Sequence, residues 1–93
     1  MIQGFGNRAT ERFFREAKCP PEWRSFEAVA RRKLIMLDSA LAVQELRAPP
    51  GNRMEALKGD RNGQWSIRVN PQWRVCFRWG SKGPEAVEII DYH

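Results

Sequence analysis

The segment Gln64-Trp65-Ser66-Ile67-Arg68-Val69-Asn70-Pro71-Gln72-Trp73-Arg74-Val75-Cys76-Phe77-Arg78-Trp79 decides the fold. On either side of Asn70-Pro71-Gln72 the residues alternate in character, and period-two alternation about a turn signal reads as a pair of antiparallel strands. Successive side chains of a strand leave opposite faces. Trp65, Ile67 and Val69 therefore point one way on the first strand, as do Trp73, Val75, Phe77 and Trp79 on the second, and this apolar side needs a cover. Ser66, Arg68, Arg74, Cys76 and Arg78 occupy the other side.

Outward from the hairpin, the turn Gly80-Ser81-Lys82-Gly83-Pro84 leads to a further strand, Ala86–Tyr92. Upstream, Gly59-Asp60-Arg61-Asn62-Gly63 separates the hairpin from a short strand at Met54–Lys58. The cover comes from the first half of the chain. A helix over Arg8–Ala17, capped by Asn7 or Thr10, puts Phe13, Phe14 and Ala17 on one side and pairs Glu11 with Arg15 on another, until Cys19-Pro20-Pro21 stops it. From Pro21 to Leu41, Phe26, Val29, Ala30, Leu34, Leu37, Ala40 and Leu41 recur at three- and four-residue steps, which predicts one long amphipathic helix. Its basic cluster, Arg31-Arg32-Lys33, falls mostly on the opposite, solvated face. Ile2–Phe5 reads as an edge strand, and Ala48-Pro49-Pro50-Gly51-Asn52 as a loop within one domain. The expectation is an α+β fold, residues 1–93 forming a single domain in which two N-terminal helices pack on one face of a small antiparallel sheet.

Composition narrows the class of function. A chain of 93 residues with 42% hydrophobic residues, four Trp and five Phe among them, fills one small core. No apolar run approaches the roughly 18–20 residues that cross a bilayer, and the opening MIQGFGNRAT lacks a signal-peptide pattern, so a cytoplasmic protein without membrane contact is expected. Cys19 and Cys76 form neither a disulfide framework nor a metal knuckle and read as structural thiols. The net charge of +5 favours a polyanionic partner. Residues 52–83 concentrate it, holding seven of the 16 Lys and Arg but two of the 11 acids. Arg68, Arg74 and Arg78 on one uncovered face, extended by Lys58 and Arg61 at the neighbouring turn, suit phosphate. The same face also reads as ordinary solubilising charge, and no helix-turn-helix, zinc-finger, P-loop or RNP pattern decides between the two.

A larger pattern does decide. Leu57-Lys58-Gly59-Asp60-Arg61-x-Gly63-x-Trp65-Ser66-Ile67-x-Val69-Asn70, then Trp73-Arg74-Val75-x-Phe77, then Asp91-Tyr92-His93 resemble the HigB branch of the RelE toxin superfamily, and the early helices match in position and character. The resemblance implies two helices against a curved antiparallel sheet whose concave face receives messenger RNA in the ribosomal A site. It implies a type II toxin that cleaves RNA without metal or other cofactor, the ribose 2′-hydroxyl attacking the adjacent phosphate. Such chemistry needs a proton acceptor for the 2′ oxygen, cations for the phosphorane, and an acid for the leaving 5′ oxygen. Lys58, Arg61 and Arg74 are the implied cations, with Arg68 and Arg78 as further backbone contacts. Asp91, Tyr92 and His93 occupy the family's functional end, and His93 is the chain's one His. The implied partners are the ribosome and a HigA-like antitoxin with a helix-turn-helix domain, through which alone the complex would meet operator DNA.

One residue departs from the pattern. Many relatives carry a catalytic His where this chain has Glu55. Glu55 is either a general base, if partial burial raises its pKa, or an ion-pair partner of Lys58 and Arg61. Two rival readings use the same scaffold: a non-catalytic inhibitor, such as a ParE-like gyrase inhibitor, and a plain RNA- or ribosome-binding module. ParE-type toxins lack the basic half and the Asp-Tyr-His ending found here, which favours RNA.

Overall fold

A computed structural model describes residues 1–92. Helix α1 spans Arg8–Glu16 and α2 spans Glu27–Ser39, and the strands are β1 (Glu55–Ala56), β2 (Trp65–Arg68), β3 (Trp73–Gly80) and β4 (Gly83–Asp91). The strands form a curved antiparallel sheet in the order β1-β2-β3-β4, with both helices on one face. The α+β expectation holds in class and in layering.

Two candidates for the cap of α1 turn out to do different work. Asn7 Oδ1 accepts the Thr10 N–H at 2.9 Å and so caps the helix. Thr10 is buried, and its hydroxyl accepts the Ile89 N–H at 2.9 Å, binding α1 to β4. At the other end Ala17 takes a left-handed backbone (φ 58°) and stands exposed, so it closes the helix and does not join Phe13 in the core.

The long helix expected over Pro21–Leu41 is divided. Proline fixes φ and carries no N–H, and Pro20-Pro21 starts only a tight 3-10 turn, Pro21–Phe26. That turn drives two aromatics inward. Trp23 meets Phe13 edge-on at 5.5 Å between ring centroids, and Phe26 lies 5.4 Å from Trp73 of the sheet. Helix α2 then contributes Ala30, Leu34 and Leu37 against Ile67, Val75, Phe77, Val87 and Ile89. It ends before Leu41, which is 89% exposed and no part of the core.

Lys33 also departs from expectation. It is buried, and its ammonium donates to Asn52 Oδ1, while the Asn52 amide donates to the carbonyls of Leu46 (3.0 Å) and Ala48 (3.2 Å). Desolvation pulls the Lys33 pKa below its ordinary 10.5. Charge-based reading could not find this, because the partner is a neutral side chain 19 residues away. Arg31 lies 4.5 Å over the Phe13 ring and pairs with Glu27, leaving Arg32 as the solvated member of the cluster. The Lys33–Asn52 contact has a consequence for position: it fixes to α2 the segment that feeds β1.

Ile2–Phe5 forms no full strand. Phe5 makes a single parallel bridge to Val87, with Gln3 N–H donating to Pro84 O, Gly6 N–H to Val87 O, and Val87 N–H to Gly4 O. Short 3-10 turns at Val43–Arg47 and Pro50–Asn52 occupy part of the stretch read as loop. None of the helices is long and apolar enough to cross a membrane, among the described residues.

Candidate functional site

The face of the sheet turned away from the helices holds the basic residues. Its rows follow from the register. Glu55 pairs with Ser66, Ser66 with Cys76 and Cys76 with Glu88, so these four side chains cross the sheet in one line. Beside it run Arg68, Arg74 and Ile90. Between Cys76 and Arg78 the register slips, leaving Ala86 and Val87 opposite Phe77, and Ala86 takes φ 51°. The extra residue is a β-bulge, and it matters for charge. Glu85 and Glu88 are three apart and would alternate to opposite faces; the bulge brings both to the face of Arg78 and Cys76.

Arg74 sits at the centre. It is 9% exposed, its Nε donates to Ser66 Oγ at 2.7 Å, and its Nη2 donates to Arg53 O at 2.6 Å. The Glu55 carboxylate lies 3.5 Å from Nη2. Nη1 makes no hydrogen bond among the described residues. The guanidinium is thus held on one side and keeps donors on the other, the arrangement of a preformed anion contact. Three open arginines were expected on this face. In the structure one is embedded, Arg68 is half-buried and Arg78 is exposed. Embedding is possible because Ser66 Oγ, the Arg53 carbonyl and the Glu55 carboxylate surround the guanidinium of Arg74.

Glu55 is more than half exposed, with Arg74 as its ion-pair partner. The alternative that paired it with Lys58 and Arg61 named the wrong cations, because Arg61 is engaged elsewhere. Its Nη2 meets Glu88 Oε1 at 2.8 Å and its Nη1 meets Gln64 Oε1 at 3.0 Å. The hydrogen bond to Glu88 holds the Arg61 guanidinium firmly in its charged form. Lys58 is exposed at the start of the Gly59–Arg61 turn.

Cys76 forms the floor. Burial, opposed by the nearby charges of Arg61 and Arg74, pushes its thiol up to about 11, so it is protonated at neutral pH and does not serve as a nucleophile. Tyr92 follows β4 on the side of Ile90 and Arg74 by strand alternation. Asp91 pairs with Trp73 on the opposite side and accepts a hydrogen bond from Gln72 at 2.8 Å. His93 lies outside the described residues.

Glu88, Gln64, Ser66 and the Arg53 carbonyl complete the site and were not singled out from the sequence as its parts. Ser66 was legible from its place beside Arg74 across the turn. Glu88 was legible as to face from its alternation with Val87 and Ile89, but not as the partner of Arg61, 27 residues away.

Two helices laid over one side of this sheet, with guanidinium groups on the other, is the build of a RelE-like toxin. A point mutant of YafQ from E. coli has the same fold, with a TM-score of 0.63 over 96% of this chain and 89% of that one, at 13% sequence identity. The family model described as RelE-like toxin of type II toxin-antitoxin system HigB matches residues 3–93, and the chain belongs to that family. Toxin HigB-1 of Vibrio cholerae serotype O1 is 53% identical over 55 residues, 59% of this chain and 58% of that protein. Endoribonuclease HigB of Proteus vulgaris is 34% identical over 61 residues, 66% of this chain and 65% of that protein. The matched stretches thus span less than two thirds of the length of either relative.

Proposed function

We propose that the chain is the toxin of a type II toxin-antitoxin pair, a cytoplasmic endoribonuclease that cuts messenger RNA on the ribosome and is silenced by a helix-turn-helix antitoxin of the HigA kind. The observation that carries this reading is Arg74: a guanidinium fixed by Ser66 Oγ and Arg53 O in the middle of a basic face, with donors to spare. Family membership and the relative named as an endoribonuclease support it.

In the proposed reaction the 2′-oxygen loses its proton and attacks the adjacent phosphorus, the 5′-oxygen leaves with a proton, and a 2′,3′-cyclic phosphate and a 5′-hydroxyl result. Arg74 and Lys58 hold the charge that builds on the phosphorane, with Arg61, Arg68 and Arg78 along the backbone. Glu55, Tyr92 and His93 are the candidates for proton transfer, and Asp91, on the other face, would act through its neighbours. The ribosome supplies the in-line alignment of 2′-oxygen, phosphorus and leaving oxygen, an effect that can contribute roughly 7–11 kcal/mol.

Mapping 5′ ends of cellular messages after brief induction tests the reading, together with cleavage of a labelled message free and on ribosomes. New 5′-hydroxyl ends within translated regions, and cutting that requires ribosomes, are expected. Intact messages during growth arrest would favour a non-catalytic inhibitor. Equal cutting of free and ribosome-bound RNA would remove the ribosome from the mechanism.

A further inference from the structure

Among the cations of the basic face, Arg61 is tied to a carboxylate on the far strand of the sheet. Its partner Glu88 is 27 residues away in β4, with 16% of the side chain exposed. A carboxylate at that depth is costly unless paired, and the pair links the turn between β1 and β2 to β4. The turn itself is compact. Gly59 and Gly63 both take positive φ (66° and 91°), and Arg61 N–H donates to Lys58 O and Gln64 N–H to Arg61 O.

Glu88 is supported from behind. A Cβ added to Gly6 would collide with Glu88 Oε2 and stand 2.9 Å from Ala86 O, so the bare Gly6 backbone is what leaves room for the carboxylate. The bulge at Ala86–Val87 turns Glu88 to this face, and Gly6 N–H donates to Val87 O alongside it. Three separate features, a bulge, a glycine and a long-range ion pair, thus converge on one carboxylate.

We propose that Glu88, backed by Gly6, is a positioning residue that holds the Arg61 guanidinium, and with it the turn carrying Lys58, at a fixed place over the basic face to receive RNA phosphates. Two of the five guanidinium donors of Arg61 go to Gln64 and Glu88, and the others remain for phosphate. Without Glu88, Arg61 keeps Gln64 as its one hydrogen-bond partner among the described residues and loses its tie to β4. The function assigned to Glu88 rests on the ribonuclease reading above, whereas the order of Arg61 does not.

The test uses the full chain, with single-turnover cleavage on ribosomes carrying a short labelled message, and with NMR of the Arg61 Nε–H group. Glu88→Ala should lower the cleavage rate at saturating toxin by roughly 10- to 100-fold, the scale of a misplaced group. Half-saturation should stay level or move to lower concentration, because the variant is more positive by one charge. A residue that only supports folding would weaken both quantities. Glu88→Gln, which keeps the shape, should fall between wild type and Glu88→Ala. In an Arg61→Ala background, Glu88→Ala should change the rate by less than about threefold, since the pair acts as a unit. Gly6→Ala, which keeps both partners and displaces the carboxylate, should also slow cleavage. In wild type the Arg61 Nε–H signal should be resolved and slow to exchange, and in Glu88→Ala it should merge with those of the solvated arginines. Cleavage by Glu88→Ala at the wild-type rate, losses that multiply in the double variant, or an unchanged Arg61 signal would each overturn the proposal. Absence of cleavage by wild type would instead overturn the ribonuclease reading, and the Arg61 signal would still decide whether Glu88 holds the guanidinium.

Discussion

Replacing Arg74 by Met keeps most of the aliphatic stem and removes the guanidinium. Two short hydrogen bonds are lost, 2.7 Å to Ser66 Oγ and 2.6 Å to Arg53 O. Their consequences differ. Arg53 is exposed, so its carbonyl can exchange the lost donor for water, whereas Ser66 is fully buried and its hydroxyl is stranded. A stranded buried group costs about 1–3 kcal/mol. The ion pair with Glu55, whose side chain is 54% exposed, adds less than about 1 kcal/mol. Relief from burying a charge offsets part of the sum. The expected loss is about 2 kcal/mol out of the about 5–14 kcal/mol typical of a domain this size. In a thermal melt that is a fall of about 8–16 °C. Urea unfolding is the better assay, since an unchanged slope with a lower midpoint attributes the change to stability alone. The partner variant sharpens it: Ser66→Ala in the Arg74→Met background should recover much of the loss, because it removes the stranded hydroxyl. A midpoint shift worth less than about 0.5 kcal/mol would refute the reasoning, since it would mean that these bonds do not fix the guanidinium.

Three further outcomes are expected. Glu55→Gln should leave stability within about 1 kcal/mol of wild type, because the ion pair is exposed, and should slow cleavage while ribosome binding persists if Glu55 takes the 2′ proton; unchanged cleavage assigns Glu55 to its pairing with Arg74 alone. Burial lowers the Lys33 pKa in the folded state, so between that lowered value and 10.5 the unfolded chain binds more protons and stability rises with pH, while below the window both states are protonated and the penalty is constant; Lys33→Met should flatten this rise in denaturant melts taken across the alkaline range, and an identical slope in the variant would show that another group causes it. Reversing Arg68 and Arg78 to Glu should weaken ribosome binding and flatten its salt dependence more than reversing Arg31 and Arg32 on the helix side, and equal losses would mean that bulk charge drives association.

The helical segments and the sorting of the hairpin's side chains were legible because each rests on a local period: Phe13 and Leu34 on helical spacing, Val75 and Phe77 on alternation. What the sequence concealed depends on contacts between distant residues. The aromatic contacts made by the turn after Pro20-Pro21, with Trp23 on Phe13 and Phe26 on Trp73, follow from no local period. Lys33 reads as a surface charge until Asn52 meets it. The cations of the site were found by type and by family resemblance, yet the partners that orient them, Ser66, Glu55 and Glu88, follow from register. For Glu88, counting back from the apolar Val87 and Ile89 gives the right face, whereas counting on from the Gly80–Gly83 turn crosses the bulge and gives the wrong one.

The contact between Thr10 and β4 bears on the exposed margin of the sheet. A strand at the margin of a sheet exposes unpaired amide and carbonyl groups, which recruit strands from other molecules. At β4 that margin is occupied: the Ile89 N–H goes to the Thr10 hydroxyl, and Gly4 and Gly6 take the polar groups of Val87. At the opposite margin β1 is two residues long and bears the charge of Glu55, too short and too polar to template a neighbour. Thr10→Val, nearly the same size, would release one amide and loosen the chain that shields the rest. Its first effect at high concentration should be self-association through β4, ahead of any change on the basic side of the sheet.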